Sequence, residues 1–299
     1  MKRVSRATTY EYAGRYNPPA LTVEMGETVL VETELCTGSW LRSAQDAWSP
    51  ERSLAHNPAS GPLYIAGAQP GDVLGVRIER VDVDTLGYTG FAPGQNPFPD
   101  WIRQREWGVV TRTVEIKEGY IHWSPSLRLP VQPMIGVIAT APEAEVLANT
   151  RPGRHGGNLD VQEVAPGATV YLPVYVPGAL LHVGDVHARQ GDGEICCGGG
   201  IETRGEVMLT IASLGPRPPR MTWPRIETRE YLITVGCARP AEDAFRIAVQ
   251  ELVYWLADDY GLPEPEAVLL LGQVLEARCT QFVDPEYTYV AKVRREFLP

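Results

Sequence analysis

The stretch LLHVGDVHARQGDGEICCGGGIE, from Leu180 to Glu202, has the pattern of two antiparallel strands joined by a glycine-rich turn. If Leu181–Arg189 is a strand, Asp185 and His187 project from the same face, because alternate side chains point to the same side of a sheet. Asp192-Gly193 is a strong signal for a two-residue hairpin turn. The stretch therefore predicts a β scaffold that carries reactive side chains on one face.

The register of this hairpin predicts open space above the reactive face. A turn at Asp192-Gly193 pairs His187 with Gly198 and Asp185 with Gly200, so no bulky neighbour stands opposite either side chain. Such clearance suits a small substrate. Glu194 lies on the same face, but it reaches the site only if the loop bends more than a two-residue turn permits.

The rest of the chain predicts a mainly β protein with a helical end. Strand-like runs rich in β-branched residues recur through residues 1–215, the predicted β-rich body. From Pro240 the apolar spacing becomes that of an amphipathic helix, and a second helix is predicted from Glu266 to about Thr280. Residues 216–299 are therefore expected to form a C-terminal segment with two helices that completes the fold, a mixed arrangement.

Composition excludes several functional classes. Lys plus Arg total 27 against 37 for Asp plus Glu, and the net charge of −10 argues against nucleic acid as a partner. No run approaches the ~20 apolar residues that span a bilayer, and the N-terminus has no apolar segment typical of a secretory signal. The five cysteines are odd in number and without CxxC spacing, so we expect a reducing cytoplasm and no disulfide framework.

A second group of reactive residues lies in RPGRHGGNLD, from Arg151 to Asp160. His155 and Asp160 sit on a Pro/Gly-rich loop, where imidazole and carboxylate together suit zinc and carboxylate-rich sets suit calcium or magnesium. The same groups transfer protons in catalysis. The G-x-S-x-G elbow, the H-E-x-x-H helix and the G-x-x-x-x-G-K-[ST] phosphate loop do not occur in the sequence.

Several of these residues also have a purely structural interpretation. His182, on the apolar face of the predicted strand, is expected to be a hydrogen-bonded structural residue. Asp192 is either a turn residue or a catalytic one. Cys196 and Cys197 are either small buried apolar groups or nucleophiles.

Long segments of the sequence resemble the acetamidase/formamidase family, in the family's order. They are ETELCTGSW (32–40), NPASGPLYIAGAQPGDVL (57–74), PMIGVIATAP (133–142), PGRHGGNLD (152–160) and VPGALLHVGDVHARQGDGEICCGGGIE (176–202). The resemblance implies a β-sandwich-like core, an oligomer (a homodimer or larger), and hydrolysis of a short aliphatic amide to a carboxylate and ammonia.

The resemblance also implies a bound divalent metal and two walls of a site. By motif matching, one wall consists of His155, Asn158 and Asp160, and the other of Asp185, His187, Asp192 and Glu194, with Glu34 as a possible further ligand.

The leading hypothesis is metal-assisted hydrolysis of a small amide. A divalent ion, with zinc favoured over calcium or magnesium, would be held by His155, Asp160, His187 and Glu34. Glu194 or Asp192 would move the proton to the departing ammonia, and Asn158, Asp185 and Gly198 would contact substrate.

Two alternatives remain open from the sequence. In one, Cys196 or Cys197 is a nucleophile with His187 as its base. In the other, the protein is a non-enzymatic, metal-stabilised β-sandwich that binds a ligand.

Overall fold

Two large β-sheets form the body of the protein, which is described here by a computed structural model covering residues 1–94, 96–196 and 198–299. The first strands, in chain order, are β1 (Lys2–Val4), β2 (Thr9–Tyr10), β3 (Tyr12–Ala13), β4 (Leu21–Val23), β5 (Thr28–Thr33), β6 (Ala59–Ile65), β7 (Asp72–Val83), β8 (Leu86–Phe91), β9 (Val110–Lys117), β10 (Tyr120–Ser124) and β11 (Leu127–Pro130). They are followed by β12 (Met134–Ala139), β13 (Leu147–Ala148), β14 (Gly156–Asn158), β15 (Thr169–Pro173), β16 (Leu181–His187), β17 (Gly198–Thr203), β18 (Gly205–Pro216), β19 (Arg225–Glu227), β20 (Tyr231–Ala238), β21 (Glu276–Gln281) and β22 (Tyr287–Arg294). The α-helices are α1 (Pro99–Gln104), α2 (Ala241–Tyr260) and α3 (Glu264–Val274), and short 3₁₀ turns cover Pro50–Arg52 and Arg295–Phe297.

The strand order explains how distant segments meet. One sheet has nine strands in the order β1-β5-β18-β7-β15-β19-β20-β22-β21. The other has eleven strands, with the path β11-β10-β9-β8-β17-β16-β12-β14, and β6 joins β2 and β4 to β16. Nearly all neighbours are antiparallel, and β12 pairs with both β14 and β16, so these three strands lie side by side.

The two sheets share one apolar core. Val31 and Val76 of the nine-stranded sheet and Ile135 and Val183 of the eleven-stranded sheet are fully buried in the same cluster. Packing of two inner sheet faces is the arrangement of a β-sandwich. The prediction of a mainly β fold with a sandwich-like core is therefore confirmed.

The C-terminal helices lie against the nine-stranded sheet. Leu252 and Leu256 of α2 pack with Leu232 and Val293 of the sheet, as the apolar spacing predicts. The predicted end of the second helix is wrong, because the chain turns extended at Leu275 and residues 276–281 pair with β22 as an edge strand. The division of the chain at residue 215 stays a prediction.

The predicted hairpin register is also wrong. β16 pairs with β17 so that His187 lies opposite Glu202, four residues beyond Gly198. Ten residues separate the end of β16 from the start of β17. Within the described part of this connection, Gly193 donates to the Cys279 carbonyl at 3.2 Å and accepts from the Phe282 N–H at 2.9 Å. The longer loop lets Glu194 bend back toward the strand face.

Candidate active site

Three predicted site residues converge at the buried end of β16. Asp160, which follows β14, comes together with Asp185 and His187 of β16, and ligand atoms of all three lie within 4.8 Å of one another. His187 Nε2 is 3.4 Å from Asp185 Oδ1. The two glycine-flanked segments identified in the sequence thus meet at one place.

A second group of possible ligands shares Asp185 with the first. Cys36, Asp185 and Glu202 also bring ligand atoms within 4.8 Å of one another. Glu202 Oε2 is 3.2 Å from His187 Nε2, so the two groups are adjacent. All of these side chains are buried.

Three carboxylates of the site have an unusual backbone. Asp160, Asp185 and Glu194 have φ values of 48°, 56° and 42°, in the left-handed region that non-glycine residues rarely adopt. Such a conformation costs on the order of 1–3 kcal/mol each and persists only where the surrounding structure enforces it. In this conformation all three carboxylates lie in one cluster, in which Asp160 interacts with both Asp185 and Glu194.

The orientation of the His187 ring is fixed by Gln190. The Gln190 side-chain amide donates to the backbone carbonyls of Asp160 and Thr280, at 3.1 and 3.2 Å, which turns its oxygen toward His187. His187 Nδ1 lies 2.8 Å from that oxygen and therefore donates to it. The network assigns the proton to Nδ1 and directs Nε2 at the carboxylates, the orientation found in metal-binding histidines.

Glycines make room for the carboxylates, though not the glycines that the sequence indicated. A Cβ on Gly136 of β12 would lie 2.5 Å from Asp185 Oδ2 and 2.7 Å from Asp160 Oδ1. A Cβ on Gly199 would overlap the carboxylate of Glu194. The space that the carboxylates occupy is therefore left open by Gly136 on β12 and by Gly199 on β17.

Many polar atoms of the site are buried without a hydrogen-bond donor. They are both oxygens of Asp160 and one oxygen of Glu194. His187 Nε2 and the Asp185 and Glu202 oxygens 3.4 and 3.2 Å from it also form no hydrogen bond of good geometry. Buried polar atoms are nearly always partnered in folded proteins, and an unpaired buried charge is strongly unfavourable. Converging carboxylate, imidazole and thiol donors are the chemistry that binds a divalent cation, so the residues present fit a metal site.

Burial and mutual repulsion raise the pKa values of these carboxyl groups. Burial, with Asp185 nearby, raises the pKa of Asp160 to about 7, and burial raises that of Glu202 to about 7 although His187 opposes it. Burial and Asp160 hold the pKa values of Glu194 and Asp284 well above the usual range. Without a cation, the cluster therefore retains protons near neutral pH.

The imidazole and the thiol respond to the same charges. Burial alone would lower the pKa of His187, but Glu202 and Asp185 outweigh it and hold that pKa well above the usual value. Burial, followed by Glu202 and Asp185, raises the pKa of the Cys36 thiol well above its usual value. A bound cation would instead favour a deprotonated nitrogen on His187 and the thiolate form of Cys36, because ligands bind metals in their deprotonated forms.

A cavity of about 520 Å³ leads from this cluster to the surface. Its base is formed by buried acids, namely Asp185, Glu194, Glu202 and Asp284. Asn158 lines the same cavity and donates to Asp284 Oδ2 at 3.0 Å, while Asn57 donates to Asp185 Oδ2 at 3.1 Å. Exposed Tyr12 and His56 mark the mouth.

Two predicted ligands do not join the site. His155 lines a separate cavity with Trp223 and Cys237, because the chain leaves it through left-handed Gly156 and Gly157 and the strand alternation is broken there. Glu34 is instead ion-paired with the Arg204 guanidinium and accepts the backbone N–H of Leu35 at 2.9 Å. Neither residue belongs to the two groups of ligand atoms that converge around Asp185.

Other predicted residues lie outside the cavity. Asp192 is largely exposed and forms an ion pair with Arg278 at 2.7 Å, on the outer side of the loop that carries Glu194. Gly198 pairs with Gly90 of β8 and does not line the cavity within the described residues. Cys196 is half-buried, and burial raises the pKa of its thiol. It is not among the described residues that line the cavity. Cys197 lies outside the described residues.

The sequence interpretation missed three residues of the site. Glu202 ends the Leu180–Glu202 stretch and would have been found by the correct register opposite His187. Cys36 lies in one of the family-like segments, where no role was assigned to it. Asp284 follows β21, far along the chain and without a neighbouring histidine or glycine signal.

Fold and site together define a class: a two-sheet β protein whose buried centre combines carboxylates, one imidazole and one thiol. Comparison with known proteins is consistent with this class. The acetamidase of Mycolicibacterium smegmatis is 32% identical over 258 residues, 65% of this chain and 63% of that protein, and the formamidase of Methylophilus methylotrophus is 28% identical over 252 residues, 65% and 61%. The chain thus spans about three-fifths of the curated relatives it matches.

Solved structures match over nearly the whole chain. The acetamidase of Bacillus halodurans superposes with a TM-score of 0.89 at 34% identity, covering 99% of this chain and 98% of that one. The acetamidase of Yersinia enterocolitica gives 0.89 at 33% identity, covering 100% and 93%. The model of the acetamidase/formamidase family matches residues 11–152 and 148–290. The chain belongs to the acetamidase/formamidase family.

Proposed function

We propose that the protein hydrolyses the C–N bond of a small linear amide and releases a carboxylate and ammonia. Family membership supports this reaction. The observation that carries the proposal is the convergence of Asp160, Asp185 and His187 within 4.8 Å at the base of a cavity. Acids and an imidazole in that position are the groups that amide hydrolysis requires.

A divalent cation is part of the proposal, held by Asp160, Asp185 and His187, with Cys36 and Glu202 as a second group around the shared Asp185. We propose zinc over calcium or magnesium, because imidazole and thiol donors accompany the carboxylates. When bound, such a cation polarises a carbonyl and makes water a stronger acid.

The protein's own side chains carry the remaining roles. Glu194 lines the cavity and has a buried oxygen without a donor, so we assign it the transfer of a proton to the departing ammonia. Asn158 Oδ1 is likewise buried without a donor, and in this proposal it accepts a hydrogen bond from the substrate amide. The buried base of the cavity excludes bulk water from these groups.

The test pairs elemental analysis of the purified protein with ammonia release from formamide, acetamide and propionamide. We expect a divalent metal and turnover, and we expect His187→Ala to lose both. His122→Ala removes an imidazole outside the cavity and serves as the matched control. Full turnover by His187→Ala would rule out the metal mechanism, and a metal-loaded protein that releases no ammonia would favour a binding module.

The proposal extends to assembly and location. Val268 and Leu269 of α3 are 55% and 65% exposed, which supports a homodimer or larger homo-oligomer, measurable by light scattering.

The described cysteines are free thiols, which supports a reducing cytoplasm as the location of the protein; they are Cys36, Cys196, Cys237 and Cys279. Within the described residues, none of the helices has the length and apolar character needed to cross a bilayer.

A further inference from the structure

The cavity is much larger than the group that reacts in it. Its volume of about 520 Å³ compares with ~30 Å³ for one water molecule in the liquid. An amide nitrogen, carbon and oxygen at the buried base leave most of this space free. A substrate therefore has room for a substituent that extends from the carboxylate cluster toward Tyr12 and His56 at the mouth.

Acidic side chains line this whole path. Among the described residues that line the cavity, Glu11 stands near the mouth, the other acids lie at the base, and lysine and arginine are absent. Glu194 and Glu202 each present a buried oxygen without a donor. Glu11 does not belong to the two groups that fit a cation, so a bound cation leaves the Glu11 carboxylate in the cavity.

Several arginines lie near this region, and other groups engage them: Arg239 donates to the backbone carbonyl of Asp284 at 2.6 Å and Arg52 to that of Ala47 at 2.9 Å. Arg204 is ion-paired with Glu34, and Arg151 binds Glu286 through two hydrogen bonds of 3.1 Å. Glu286 is close to the lining residue Asp284 in the chain. Because lysine and arginine are absent from the described lining, an anionic substituent inside the cavity would meet acidic side chains without a guanidinium in the wall to balance its charge.

A cationic substituent would meet the opposite situation. Glu11, which is half-buried, and the exposed residue Tyr12 both line the cavity. A carboxylate and an aromatic ring together attract an ammonium group through charge and through the ring face.

We infer that this site selects its amide by the charge of the remote substituent, accepting neutral and cationic amides and rejecting anionic ones. The inference rests on the proposed amide hydrolysis and names the substrate class for it. Discrimination of this kind works by repulsion: like charge in a narrow, partly desolvated cavity disfavours the wrong ligand.

The experiment compares two isosteric pairs on the metal-loaded protein at low ionic strength. Succinamide and succinamate differ by one charge, as do pentanamide and 4-aminobutanamide. We expect kcat/KM for succinamate to be at least about tenfold below that for succinamide, beyond the twofold owed to the second amide group. We expect 4-aminobutanamide to equal or exceed pentanamide. Raising the salt concentration should narrow both differences.

Variants assign the effect to the cavity. Glu11→Gln removes one charge near the mouth and should raise kcat/KM for succinamate about threefold relative to succinamide. Glu79→Gln removes the same charge from an exposed position on β7, outside the cavity, and should leave the ratio unchanged.

The outcomes separate this inference from the proposed function. Equal turnover of succinamate and succinamide, with formamide still hydrolysed, would overturn the charge selection and leave the amidase proposal intact. Hydrolysis confined to formamide and acetamide would also overturn it. If none of these amides releases ammonia, the proposed function itself fails.

Discussion

Gln190 Oε1 lies 2.8 Å from His187 Nδ1, and the same side chain holds two backbone carbonyls through its amide nitrogen. Gln190 thereby connects the imidazole to the segment that carries Asp160 and to β21. The ring of His187 is held in one orientation because Gln190, its hydrogen-bond partner, is itself fixed by the carbonyls of Asp160 and Thr280.

Replacing Gln190 with Met should weaken divalent metal binding about 10- to 100-fold, the usual effect of removing a partner of a ligand histidine. The measurement is zinc retention against a chelator of known affinity, with the unfolding midpoint recorded alongside. Thr234→Val deletes a buried hydroxyl that donates to Ala248 at 2.6 Å in the C-terminal part of the fold. It should lower stability without changing metal affinity. Equal metal affinity in Gln190→Met and wild type would show that Gln190 has only a structural role.

Gly136→Ala should disrupt the site while leaving the fold largely formed. The new methyl group would come within 2.5 Å of Asp185 and 2.7 Å of Asp160, so both carboxylates must move. Overpacking of this kind costs about 1–3 kcal/mol. We expect loss of bound metal and of ammonia release, measured on a protein whose circular dichroism is unchanged. Gly215→Ala, where a Cβ meets nothing within 4 Å, is the control and should behave as wild type.

The two described cysteines nearest the site motifs should differ sharply on substitution. Cys196 lies outside the described cavity lining and its thiol pKa is raised, so Cys196→Ala should keep kcat/KM within about twofold. Cys36→Ala should lower the metal content, because Cys36 belongs to the ligand group with Asp185 and Glu202. Inactivation of the Cys196→Ala protein, with its metal retained, would restore the cysteine-nucleophile mechanism.

Sequence patterns identified the scaffold and part of the site because these features depend on the spacing of residues within single strands and helices. Alternation along β16 placed Asp185 next to His187, and the strand-like runs and the apolar spacing of α2 predicted the mainly β body and its helical end. The sandwich-like core was implied by the family resemblance. The left-handed backbone of Asp185 was not visible in the sequence, since it is imposed by the neighbouring strands.

The remaining errors come from contacts that the sequence does not encode locally. The register of β16 and β17 depends on a loop held by residues near β21, so the partner of His187 was misplaced by four residues and Glu202 was missed. His155 shares a motif with Asp160, yet the intervening glycines turn it into another cavity. Such long-range effects explain why motif membership alone did not separate ligands from neighbours.

Metal affinity should fall as the pH drops below about 7. In the metal-free protein burial raises the pKa values of Asp160 and Glu202 to about 7, so below that pH a cation must displace their protons. Each displaced proton lowers the apparent affinity about tenfold per pH unit. Without metal, the stability contributed by these two groups is present below their unfolded pKa near 4 and lost as pH rises through 7. Chelator competition at pH 6, 7 and 8 measures the effect, and Asp160→Asn should release one proton fewer on binding. A flat affinity profile would contradict it.

A buried histidine outside the site should control acid stability. His182 is fully buried, with Nδ1 2.9 Å from the Leu180 carbonyl and Nε2 3.0 Å from the Asn17 amide, and burial lowers its pKa to about 4. Because the folded pKa is below the unfolded value near 6.5, its contribution is present above pH 6.5 and is lost as pH falls toward 4. Between pH 7.5 and 5.0 the loss is about 2 kcal/mol.

Urea unfolding of wild type and His182→Gln at these two pH values measures the contribution of His182. The substitution should reduce the pH-dependent loss by that amount, even if it lowers stability at both pH values. His56→Gln replaces an exposed imidazole and should keep the wild-type difference. An unchanged pH dependence in His182→Gln would mean that the acid sensitivity arises elsewhere, with buried His155, whose pKa burial also lowers to about 4, as the next group to replace.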